Sequence, residues 1–409
     1  MMTRVRKITD FLGLRRSMVG LLSMVILVGM GEHMAEQFLP VYLLALGGGL
    51  ISIGFLNGMD NLLGALYAFP GGYLSDRLGH KRALLIFNVM SMAGFVIVIL
   101  VPRWWAVLVG ATLFLSWTAI SLPATMSLVA RVLPKEKRTM GVSVHSLVRR
   151  IPMAVGPMIG GWFIVKWGTV DGVRLAFLGA LAMAVVALIA QQVLIEDEKP
   201  KDRKGTPGVR SMLSLLPRMN PSLRSLLVSD ILIRFCEQIP YAFVVVWSMK
   251  EIAGYQTAQI SAERFGVLRA VEMATAILIY VPVAYMADRS HKKPFVVMTF
   301  VFFTLFPLML LFSRSFEMLL AAFVLRGLKE FGEPTRKALI MDLAPEDQKA
   351  GMFGVYYLVR DVIVSIAAFG GAFLWKINPS VNLLAAFGFG AIGTVWFVVR
   401  GKDLKANEE

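Results

Sequence analysis

The sequence predicts an all-α integral membrane protein: twelve transmembrane helices in two pseudo-symmetric six-helix bundles. Three observations carry this. The 409 residues are 57% hydrophobic and 17% charged, against about 25% charged in an average soluble domain, and mean hydropathy is +0.67. Apolar runs recur that are each long enough to cross a hydrocarbon core of about 30 Å. Finally, Pro70-Gly71-Gly72-Tyr73-Leu74-Ser75-Asp76-Arg77 returns 212 residues later as Pro282-Val283-Ala284-Tyr285-Met286-Ala287-Asp288-Arg289. Lipid cannot satisfy open backbone groups, and long runs rather than short alternating segments select helices over a barrel.

In chain order, the first span covers about 18–45, behind Arg4, Arg6, Lys7, Arg15 and Arg16. It is too long for a signal peptide and no small-residue cleavage site follows, so it reads as uncleaved. Spans two to six cover about 50–74, 83–101, 104–131, 141–166 and 173–195. Residues 196–223 are polar and read as a cytoplasmic linker between the bundles 1–195 and 224–409. Spans seven to twelve cover about 224–249, 262–286, 294–312, 316–342, 351–376 and 380–400. Even parity places both termini on one side. The turns on that side are basic (His80-Lys81-Arg82, Lys135 to Arg138, Arg289 to Lys293), whereas Gly47-Gly48-Gly49 on the other carries no charge. That asymmetry makes the basic side cytoplasmic.

The net charge of +15 could suggest nucleic acid, but the cations lie in short turns between apolar spans, which excludes a nucleic-acid face. Cys236 is alone, so no internal disulfide and no cysteine metal site is expected. No cofactor is implied, and no nucleotide-binding loop occurs. No nucleophile and base stand at convincing spacing, so an enzyme is not expected. The repeat runs beyond its opening phrase. Glu36-Gln37-Phe38-Leu39-Pro40 parallels Glu237-Gln238-Ile239-Pro240, Asp60 aligns with Glu272, and Leu147-Val148-Arg149 matches Leu358-Val359-Arg360.

The turn after span two reads Gly72-Tyr73-Leu74-Ser75-Asp76-Arg77-Leu78-Gly79-His80-Lys81-Arg82. It resembles the signature of the major facilitator superfamily, and the second copy keeps Asp288, Arg289, Lys292 and Lys293. Gly72 permits close helix approach and Gly79 a turn with positive φ. The resemblance implies gating by Gly72, Asp76, Arg77, Gly79, Lys81, Arg82, Asp288 and Arg289. It also implies a central path lined by spans one, four, seven and ten. Gly156-Pro157-Met158-Ile159-Gly160-Gly161 resembles the tail of a motif of drug-exporting members, though its upstream glycines are missing. Close packing along Gly156 and Gly160 is the alternative reading.

Charges inside the spans supply the chemistry. Span ten carries Arg326, Lys329, Glu330, Glu333, Arg336 and Lys337. On a continuous helix at about 100° per residue they share a stripe about 120° wide. Each would cost about 2.5–3.5 kcal/mol unpaired at the bilayer centre, so they must face water or opposite charge. Candidate partners are Glu32, His33 and Glu36 in span one, Asp60 in span two, and Arg149 and Arg150 in span five. Spans seven, eight and eleven add Asp230, Arg234, Glu237, Arg269, Glu272, Arg360 and Asp361. A carboxylate in such a cavity can hold a coupling proton. His33 with Glu32 and Glu36 faintly resembles a metal cluster, but no second His is near, and no metal site is assigned.

The expectation is a secondary transporter moving a small organic solute by alternating access, proton-coupled and exporting. The alternatives are a divalent-metal exporter and a transporter-like sensor or scaffold. The expected partners are the solute, protons and membrane lipid. A monomer in a prokaryotic inner membrane is expected, the location because the loops are short.

Overall fold

The computed structural model describes residues 16–115, 121, 138–195, 214–287, 291–345 and 349–402. Asp288, Arg289, residues 196–213 and most of span four lie outside the described residues, as do the surroundings of Gly72 and the side chain of Asp76. The regular secondary structure of the described residues is helical, apart from one antiparallel bridge between Ile252 and Tyr255. The chain forms two compact units: Met1–Gly47 with Leu66–Thr206, and Gly48–Ala65 with Pro207–Glu409.

In the first unit, α1 (Arg16–Glu36) stops at Gln37-Phe38 and α2 (Leu39–Ala45) resumes. Pro40 explains the restart: it lacks an N–H and is tolerated in a first helical turn. The chain tightens there, with Phe38 N–H bonded to the Ala35 carbonyl at 3.0 Å. The 29-residue α3 (Leu50–Leu78) spans about 43 Å at 1.5 Å per residue. It starts in the second unit and ends in the first. Gly79 follows at φ 84° and ψ 156°, backbone that essentially only glycine adopts, and this turns the chain into α4 (His80–Leu100). Then come α5 (Trp104–Phe114) and α6 (Arg138–Leu194), the latter interrupted at Gly168 (φ 79°, ψ 170°) so that it forms two spans.

Span one packs most extensively on α6. A Cβ on Gly160 would lie 1.8 Å from the Met34 carbonyl oxygen, so only glycine fits that approach. Leucines, methionines, valines and Phe87 seal the interior. Buried Asn88 donates to Gln191 at 2.6 Å, Gln191 donates to the Lys81 carbonyl at 2.9 Å, and Lys81 donates to the Gln192 carbonyl at 2.8 Å. These bonds tie the start of α4 to the end of α6.

The second unit holds α7 (Pro221–Gln238), α8 (Val244–Met249), α9 (Ala262–Ala287), α10 (Lys292–Phe312), α11 (Phe316–Leu328), α12 (Glu333–Leu343), α13 (Lys349–Ile377) and α14 (Pro379–Arg400). Asn220, Ser315 and Asn378 cap α7, α11 and α14 by accepting backbone N–H bonds in the first turn. Phe243 stacks on Trp375 at 4.6 Å, and Trp247 meets both Trp375 and Tyr255 edge-on. Seven described segments are long and apolar enough to cross a membrane, one of them doubled by the Gly168 break. The number stays below twelve partly because span ten is split into 13 and 11 residues, and span four is described only through α5.

Candidate functional site

Spans seven and ten are both broken, and their breaks hold the charges. In span seven, α7 ends at Gln238 and a 3-10 turn over Tyr241–Phe243 leads into α8. Pro240 cannot donate an N–H, which removes one helical bond at this break. The carbonyls beside the break are satisfied from other helices. Asn57 donates to the Gln238 carbonyl at 3.0 Å, and Asn382 donates to the Ile239 carbonyl at 3.1 Å. Asn61 adds a bond to the Gln238 side chain at 3.1 Å.

In span ten, residues 329–332 run through tight turns, with Glu330 N–H to the Gly327 carbonyl at 3.2 Å and Phe331 N–H to Leu328 at 2.9 Å. Pro334 then restarts the helix. This corrects the expectation of one continuous helix over 316–342: the charges do not share an unbroken stripe. Arg326, Glu333 and Arg336 are buried, and Lys329 and Glu330 are half-buried. Lys337, expected on the same stripe, is exposed.

The charges of the second unit join into a ladder across spans seven, eight, ten and eleven. At one end, Arg360 bonds Asp361 at 2.7 Å and stacks 4.2 Å over the Tyr357 ring. Arg360 also approaches Asp230 at 3.4 Å, and Asp230 accepts from Tyr356 at 3.0 Å and from Arg336. Arg336 bonds Glu333 at 2.5 Å, and Arg234 reaches Glu333 at 3.4 Å. Arg234 turns to Glu237 at 2.6 Å, and Lys329 meets Glu237 at 2.7 Å. At the far end Glu272 accepts from Arg269 at 2.5 Å, with Lys329 at 3.7 Å and Arg326 at 3.5 Å. A charge in low dielectric is tolerated only with an opposite charge and hydrogen bonds, and the alternation supplies both.

Of the expected path residues, the structure brings Arg234, Glu237, Arg269, Glu272, Arg326, Lys329, Glu333 and Arg336 together. In span one, His33 bonds Glu36 at 2.8 Å and Glu32 is buried. Asp60, Arg149 and Arg150 are half-buried, while Arg77 and Arg82 are exposed. Gly79 has the positive φ its place in the signature demands. Gly156 and Gly160 lie in close packing against His33 and Met34. Among the described residues, no three His, Cys, Asp or Glu side chains converge as a metal site.

Tyr356 and Asn382 were not anticipated. Tyr356 stands four residues before Arg360, hence on its helix face, which was a usable signal. Asn382 carried none, because only packing brings it to the span-seven break.

A duplicated bundle whose broken, charged helices pair internally is what the family comparison then explains. The pattern of the Major Facilitator Superfamily matches residues 21–262 and again 226–409. The chain belongs to the major facilitator superfamily. This makes it an integral membrane protein and a secondary transporter of a small-molecule substrate. It is 20% identical over 371 residues to an uncharacterised MFS-type transporter of Methanocaldococcus jannaschii, covering 87% of each chain. Over 153 residues it is 31% identical to the inner membrane transport protein YajR of Escherichia coli, covering 36% of this chain and 33% of that one. Among solved structures, the nucleoside transporter NupG (TM-score 0.79, 12% identity, covering 94% of this chain and all of that one, 100%) shares the fold. So does the peptide transporter POT in complex with sulfate (TM-score 0.73, 15% identity, 94% of each chain).

Proposed function

We propose that this major facilitator moves a small organic solute by alternating access, coupled to protons and in the direction of export. The observation that carries the reading is Glu237, bonded to Arg234 at 2.6 Å and to Lys329 at 2.7 Å between two broken helices. Breaks let the half-helices shift, and a shift that parts Glu237 from its cations leaves a carboxylate in low dielectric. Such a carboxylate takes up a proton. Proton binding and cation pairing therefore exclude each other at Glu237, which links proton movement to helix movement. A permanent scaffold has no use for so many buried charges at so high a desolvation cost. Export rests on the resemblance of Gly156-Pro157 to exporting members.

The test is solute counterflow and pH-driven flux in proteoliposomes. Glu237→Gln is expected to abolish acceleration by a pH gradient while counterflow persists. Unchanged gradient dependence would remove Glu237 from coupling. Asp76→Asn is expected to slow both modes with insertion intact, and a wild-type rate would remove Asp76 from gating.

A further inference from the structure

Arg326 is the one ladder cation whose guanidinium makes no hydrogen bond among the described residues. It is 4% exposed, yet its contact with Glu272 is Nε to Oε1 at 3.5 Å, an ion contact without a bond. Its neighbours are already spoken for: Arg269 bonds Glu272 at 2.5 Å, and Lys329 bonds Glu237 at 2.7 Å. Three rings surround the group, Tyr241 at 5.4 Å, Phe306 at 5.1 Å and Phe323 at 5.6 Å from its central carbon. Rings attract a cation but accept none of the five N–H donors in the strong sense. The Nε atoms of Arg234 and Arg269 are sealed without a bonding partner, whereas no nitrogen of Arg326 is sealed in that way. An unbonded fork that keeps a sliver of accessible surface, walled by aromatics, is a prepared receptor.

We infer that Arg326 anchors the carboxylate of a singly charged organic solute with an apolar body. This rests on the transport reading above and assigns its substrate class. The planar fork matches the two oxygens of a carboxylate. The rings match an apolar body. Glu272, 3.5 Å away, repels a second negative charge and so selects monoanions over dianions. Lys329 and Arg269, which also contact Glu272, keep the surroundings positive enough to receive one anion.

The experiment is a thermal-shift titration of the full chain in detergent with phenylacetate, neutral phenylacetamide and dianionic phenyl phosphate. Phenylacetate is expected to raise the unfolding temperature in a saturable way, with at least tenfold weaker response to the amide and to the phosphate. Arg326→Gln is expected to erase the preference for the carboxylate. Arg326→Lys, which keeps the charge but not the fork, is expected to weaken it several-fold. The assignment fails if phenylacetate has no effect, if the amide or phosphate acts as strongly, or if Arg326→Gln responds like wild type. Should that variant not fold, the wild-type comparison and Arg326→Lys decide. Counterflow with each binding compound separates the two readings. Exchange of the amide alone sinks the anion anchor and leaves transport standing. Carboxylate binding without exchange sinks transport and leaves the anchor.

Discussion

Spans one and seven carry the same phrase, Glu-Gln followed by Pro, and both break where it occurs. Their charges do different things. In span one, Glu36 bonds His33 one turn away on its own helix at 2.8 Å. In span seven, Glu237 reaches across to Lys329 on another helix at 2.7 Å. The surroundings differ accordingly. Span one lies against α6 with close backbone approach at Gly160, and span seven has such an approach at Gly371 but in addition meets spans ten and eleven through the ladder. The duplication preserved the backbone interruption and the proline beside it, while side-chain chemistry diverged.

That contrast can be broken by substitution. The largest effect is expected from Arg336→Ala, which leaves Asp230 and Glu333 buried without their shortest partner. Removing one member of a buried pair costs about 3–5 kcal/mol, so the variant should unfold at markedly lower temperature in detergent. Wild-type melting would mean the ladder does not hold the second unit. Gly160→Ala tests the first unit, since the added methyl meets the Met34 carbonyl oxygen at 1.8 Å. Overpacking of about 1–3 kcal/mol is expected, again read by melting, and a neutral result would mean the seam can slide. Lys337→Gln sharpens the comparison from below. Lys337 approaches Glu333 at 3.8 Å with a side chain 49% exposed, so less than about 0.5 kcal/mol should be lost. A larger loss would extend the ladder to its exposed edge.

Much of this was legible in the chain. The repeat announced two related bundles, Gly79 its positive φ, and the charges of spans seven, eight and ten their mutual pairing. What misled was angular arithmetic across span ten. Pro334 was visible, but whether a proline kinks, breaks or is absorbed depends on who satisfies the freed backbone groups. Here Thr299 accepts the Gly332 N–H at 2.5 Å, a contact 33 residues distant that no local pattern reports. Asn382 at the span-seven break was invisible for the same reason.

By itself the sequence determined the solvent, the element type and the duplication. Hydropathy, charge placement and repeated motifs are local properties that burial in lipid constrains strongly. Only tertiary structure decided which cation meets which carboxylate, where the helices open, and that Arg326 makes no hydrogen bond among the described residues. Those outcomes depend on distances of a few ångströms between helices far apart in the chain, and Coulomb energy in low dielectric is settled at that scale.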